Sequence, residues 1–107
     1  MSLDVYLTAL RRTTVYQANV THNLGGMATE AGIYTHLWRP EEIGITKAEQ
    51  LIEPLRAAVV LLESDPARFR AFDPANGWGS YDHFVPWVRE YLEACIENPD
   101  AEVRAHR

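Results

Sequence analysis

The richest chemistry in the sequence lies in Asn19-Val-Thr-His-Asn23. It combines two amides, a hydroxyl and a titratable imidazole within five residues. The run leaves an alternating stretch and enters a helical one. Such a junction presents side-chain oxygens beside unpaired backbone N–H groups at a partly positive helix start. Asn19, Thr21, His22 and Asn23 could therefore hold an anion or another polar small molecule. A plainer use also exists, in which Thr21 and Asn23 only cap the helix. Asn76-Gly-Trp-Gly79 is the second candidate: Trp78 between two glycines could stack on a ring, or turn inward as a core plug. In His36-Leu-Trp-Arg39-Pro40, Arg39 could grip a phosphate or carboxylate in a two-pronged fork, or simply pair with Glu41 or Glu42.

Other catalytic vocabulary is thin. His22, His36 and His83, with Asp82, supply enough ligands for a metal, but no pair has the His-x-x-x-His or His-Glu-x-x-His spacing, so no metal is expected. The one cysteine, Cys95, falls in an apolar stripe with Glu93 and Glu97 nearby, which disfavours a thiolate. There is no Gly-x-Ser-x-Gly, no phosphate-cradling Gly-x-x-x-x-Gly-Lys and no cysteine pair. No cofactor is implied.

The elements that must position these residues follow from periodicity. Leu3–Leu10 and Thr14–Thr21 alternate apolar and polar, which reads as two half-buried strands joined through Arg11-Arg12-Thr13. Leu24, Met27, Ala28 and Ala31 carry a helical stripe that Gly32 ends, with Ile33 as the apolar residue after it. Gly25 and Gly26 weaken that helix and open it to a close neighbour or a ligand. Tyr34–Trp38 is ambiguous, and Pro40–Gly44 reads as one helical turn. Thr46-Lys-Ala-Glu49 matches a capping box for a helix along Ala48–Leu62, kinked at Pro54. Asp65-Pro66 starts a short helix to about Phe72, and Asp73–Gly79 is a loop by composition. Ser80 or Asp82 caps a last helix, which runs to about Glu97 with Pro86 near its first turn. Ala101–Ala105 is a third strand. The expected fold is a single α+β domain over 1–107, a small antiparallel sheet covered on one face by three main helices.

The chain has 107 residues, 47% hydrophobic and 23% charged, as in ordinary globular domains. A formal charge of −5 weighs against a nucleic-acid backbone binder, and no run approaches a membrane span. The first residues lack the basic flank and apolar run of a signal peptide, so a cytoplasmic, soluble protein is expected.

Val20-Thr-His-Asn-Leu-Gly-Gly-Met-Ala, Glu30-Ala-Gly-Ile-Tyr34, Leu37-Trp-Arg-Pro-Glu-Glu-Ile-Gly44 and Asn76-Gly-Trp-Gly-Ser-Tyr81 together resemble a family of small bacterial, especially actinobacterial, and bacteriophage proteins. The resemblance spans nearly the whole chain and implies no particular reaction. A phage setting favours a small binding protein that sequesters a metabolite or blocks a host factor. The resulting expectation is a binding module for a nucleotide-like or other polar small molecule, walled by Asn19, Thr21, His22, Asn23, Arg39, Asn76 and Trp78. A hydrolase using His22, with or without a metal, and a protein-interaction subunit are the alternatives. Self-association into a homo-oligomer fits any of them.

Overall fold

Alternation in the first residues builds β1 (Ser2–Thr8), whose Leu3, Val5 and Leu7 are completely buried. A computed structural model describes residues 1–9 and 13–107. β2 (Thr14–Thr21) runs antiparallel to β1, pairing Ser2 with Thr21 and Thr8 with Thr14. β3 (Glu102–His106) lies antiparallel on the other flank, with Asp4 opposite His106. The sheet order is β2-β1-β3. The central position of β1 explains why its inward residues are the driest, while Tyr16 and Ala18 on the edge strand β2 stay half-buried. Of the turn expected at Arg11-Arg12-Thr13, only Thr13 falls within the described residues; its carbonyl accepts the Ala9 N–H at 2.8 Å.

The fold is α+β. Among the described residues five α-helices follow or interrupt the strands: α1 (Gly25–Glu30), α2 (Tyr34–Trp38), α3 (Glu49–Ser64), α4 (Pro66–Arg70) and α5 (Tyr81–Glu97). The long pair, α3 and α5, pack on each other, and one cluster of buried residues joins them to Leu3, Val5 and Leu7. The Tyr81 hydroxyl ties the pair together by donating to the Leu62 carbonyl at 2.7 Å. Both helices continue through their internal prolines, Pro54 and Pro86. Cys95 is buried within α5, and burial pushes its thiol up to about 12.

Two local expectations change. The helix expected over Leu24–Ala31 opens with a 3₁₀ turn, His22–Leu24, and becomes α-helical only at Gly25. Its end is as expected: Gly32 adopts φ +80°, and the buried Ile33 donates its N–H back to Ala28 at 2.9 Å.

The capping box at Thr46–Glu49 does not form. Residues 46–47 are drawn beside the third strand: Val103 donates its N–H to the Thr46 carbonyl at 2.9 Å, and Lys47 bridges Glu102. The first N–H groups of α3 meet carbonyls from the chain before β3, Ala48 donating to Ala101 and Glu49 to Pro99, both at 2.9 Å. Gln50 Oε1 instead accepts the Thr46 and Lys47 N–H groups, each at 2.8 Å. Tertiary pairing has taken the donors that a local cap would have used.

Candidate functional site

The open face of the sheet ends at a corner where β2 gives way to the 3₁₀ turn. Asn19 and Thr21 lie on that open face because Val20, between them, points into the core. Thr21 caps the turn, its Oγ1 accepting the Asn23 N–H at 3.3 Å. His22 follows, its ring edge-on to Trp38 with centroids 6.2 Å apart. Trp38 stacks in turn on Tyr34, whose ring occupies the space an added Cβ on Gly25 would meet at 3.4 Å. The opening left by Gly25 is thus filled by the chain's own tyrosine.

The loop from Asp73 to Gly79 reaches the same corner. Asp73 Oδ1 accepts the Tyr81 N–H at 2.6 Å, and Asn76 Oδ1 accepts the Trp78 N–H at 3.0 Å. Asn23 Nδ2 donates to that same Asn76 oxygen at 3.5 Å, joining loop to junction. Ser80 caps α5, accepting the His83 N–H at 3.3 Å, which leaves Asp82 free to form a two-pronged ion pair with Arg70.

Gly79 makes this approach possible on two counts. Its φ of +90° suits only glycine, and a Cβ there would stand 2.7 Å from Thr21 Cγ2. Trp78 is consequently held outward, 70% exposed.

The result is a cleft of about 640 Å³ lined by Met1, Ser2, Asn19, Thr21, His22, Asn23 and Trp78. A second depression of about 390 Å³ lies against Asn19, Thr21, Trp78, Ser80 and His83. Both share Asn19, Thr21 and Trp78, so the indole stands between two hollows. Of the candidate residues, Asn19, Thr21, His22, Asn23 and Trp78 line the cleft, and Asn76 supports it from behind.

Arg39 does not line it. The guanidinium pairs with Glu42 at 2.9 Å on the surface, three residues along, where Pro40 and the 3₁₀ turn Pro40–Ile43 direct it. The expected free N–H groups at the helix start are also largely spent: His22 donates its N–H to Met1 at 3.3 Å, and Thr21 takes that of Asn23. Backbone attraction for an anion is correspondingly weak.

No protein-family model, curated protein or solved structure matches the chain. Function must therefore be argued from the cleft itself.

Ser2 was not legible as a site residue, yet it forms part of the wall. The signal was available in the register: pairing Leu3 with Val20 places Ser2 opposite Thr21 and Asp4 opposite Asn19. Asn19 Nδ2 donates to Ser2 Oγ at 2.8 Å and to Asp4 Oδ1 at 2.7 Å. From sequence, Ser80 reads only as a helix cap and His83 only as a scattered histidine, since only the folded loop brings α5's first turn beside Asn19. Among the described residues, no group of three or more His, Cys, Asp and Glu side chains is placed to hold a metal ion. His22 lines the cleft and His83 the second depression, while His36 lies on α2 with its Nδ1 buried and without a partner among the described residues. Burial lowers the pKa of His36.

Proposed function

We propose that this chain is a small-molecule-binding module that holds a polar, ring-bearing ligand of nucleotide-like size, with the ring laid against Trp78. The observation that carries this reading is an indole 70% exposed on a loop whose backbone is nonetheless pinned by Asn76 and by the close passage of Gly79 over Thr21. Trp is a highly buried residue on average, so an exposed one on a fixed support is a prepared surface. Covering it with a ring is worth ~1–3 kcal/mol by the precedent of bases stacked on aromatic side chains. The cleft volume falls within the ~300–1,000 Å³ of small-molecule sites.

Tryptophan fluorescence tests the reading directly. Trp38 and Trp87 are buried, so an aqueous quencher such as iodide reaches Trp78 alone. Titration with nucleosides and nucleotides is expected to perturb that emission and protect it from iodide. Trp78→Ala should abolish the response and cut affinity about ten- to hundredfold. Binding that survives Trp78→Ala unchanged would remove the reading.

A further inference from the structure

The amide of Asn19 is oriented without ambiguity. An ionised carboxylate only accepts hydrogen bonds, so the atom facing Asp4 Oδ1 at 2.7 Å must be the amide nitrogen. The second N–H of that nitrogen goes to Ser2 Oγ at 2.8 Å. Both donors are committed, and the Oδ1 of Asn19 has no protein partner among the described residues. The cleft wall therefore offers an acceptor there. Donation to a carboxylate polarises the amide and strengthens that acceptor further.

The charges around the cleft point the same way. Asp4 places a carboxylate directly behind Asn19. Neither an arginine nor a lysine is among the described residues that line the cleft. Arg39 is turned away to Glu42, and the N–H groups of His22 and Asn23 already have acceptors. An N–H donor, carrying partial positive charge, would meet an acceptor backed by that same carboxylate.

We infer that the cleft recognises a neutral heteroaromatic ring bearing an amino group, read by Asn19 Oδ1. The inference rests on the proposed stacking role of Trp78 and specifies which end of a nucleotide-like ligand that site reads. Adenine, cytosine and guanine rings have the required chemistry: a flat π-face for the indole and an exocyclic amine for Asn19.

The experiment is calorimetric titration of the full chain with adenosine, cytidine and guanosine, and with the analogues dimethylated on the exocyclic amine. Dimethylation keeps the ring and its stacking but removes both donor hydrogens. The expected result is an affinity about tenfold lower after dimethylation. Asn19→Ala should weaken the aminated nucleoside about tenfold and leave the dimethylated one unchanged, with circular dichroism reporting that the variant is folded. Should that variant fail to fold, the dimethylated ligands on the unaltered protein still decide the matter.

Nucleoside binding that needs Trp78 yet ignores dimethylation would overturn the role of Asn19 and leave the stacking reading standing. Absence of any Trp78-dependent nucleoside binding would overturn both.

Discussion

Along α5 the rings of Phe84, Trp87 and Tyr91 share one helix face and reach Tyr16 on β2. Phe84 stacks on Trp87 with centroids 6.3 Å apart, Trp87 meets Tyr91 edge-on at 5.8 Å, and Tyr91 stacks on Tyr16 at 5.7 Å. The loop just before α5 treats its tryptophan in the opposite way. Trp87 is 6% exposed and Trp78 is 70% exposed. In the helix the ring is almost completely covered, whereas the polar ends suffer: Trp87 Nε1 and Tyr16 Oη are buried without partners among the described residues. Burial, with Glu90 nearby, pushes the Tyr16 hydroxyl up to about 12. In the loop the polar backbone is satisfied by Asn76 and the ring is what remains uncovered. The contrast teaches that a core tolerates unpaired polar atoms when ring packing outweighs them, while a site leaves apolar surface open and fixes the backbone beneath it.

Trp87→Ala is the strongest way to test the buried half of that contrast. Truncating a core aromatic removes both its transfer free energy and its packing, for about 3–5 kcal/mol. Chemical denaturation should show that loss as a large drop in midpoint. A cost below about 1 kcal/mol would mean that the α5 layer is not the structural centre of the fold.

Gly79→Ala comes next and joins the two regions. The new Cβ would meet Thr21 Cγ2 at 2.7 Å and Leu24 Cγ at 3.0 Å, on a backbone at φ +90°. Strain of this kind costs about 1–3 kcal/mol, and part of it would be relieved by lifting the loop off the junction. The expected result is a moderate loss of stability together with altered Trp78 emission. Lost stability with unchanged emission would show that the loop does not rest on Thr21.

A smaller effect separates the polar groups by pH. A histidine whose folded-state pKa lies below its unfolded value holds fewer protons when native. The contribution of His36 is therefore fully present above its ordinary value of 6.5 and is lost as pH falls through it. Asp82 beside Arg70 and Glu41 beside Arg107 are also lowered, chiefly by those hydrogen bonds. They add stability that disappears only on further acidification, through the carboxylate range. Denaturation midpoints should thus decline in two stages, and His36→Gln should flatten the first. An unchanged slope between neutral pH and about pH 5.5 in that variant would assign the first stage to another group.

The sheet was legible because side chains alternate with period two wherever one face is dry, as Leu3, Val5 and Leu7 do. The Gly32–Ile33 helix end was equally legible, since positive φ is a local demand. Illegible features depended on partners distant in sequence. Thr46 and Glu49 have the letters of a capping box, but the Pro99 carbonyl takes the Glu49 N–H and Gln50 Oε1 takes that of Thr46. Arg39 is the exception, since it pairs with Glu42 within one turn, a local reading that its sequence already offers. Thr21–Asn23 and Trp78 could be named as candidates from residue type. Their meeting depends on Gly79 passing over Thr21, which no local pattern encodes.

The smallest expected change in stability is that of Trp78→Ala, and it sharpens the comparison most. A side chain 70% exposed has little packing to lose, and exposed substitutions away from caps and strained positions usually stay within about 0.5 kcal/mol. The Trp78 backbone N–H bond to Asn76 and the left-handed turns at Gly77 and Gly79 do not involve the indole, so the loop keeps its shape without it. The denaturation midpoint should consequently stay near that of the unaltered chain, in contrast to the large fall from Trp87→Ala. A drop of more than about 1 kcal/mol would mean that the indole supports the junction as a structural plug. Equal stability combined with lost ring binding would separate the two tryptophans by role, one holding the fold and the other kept open for a ligand.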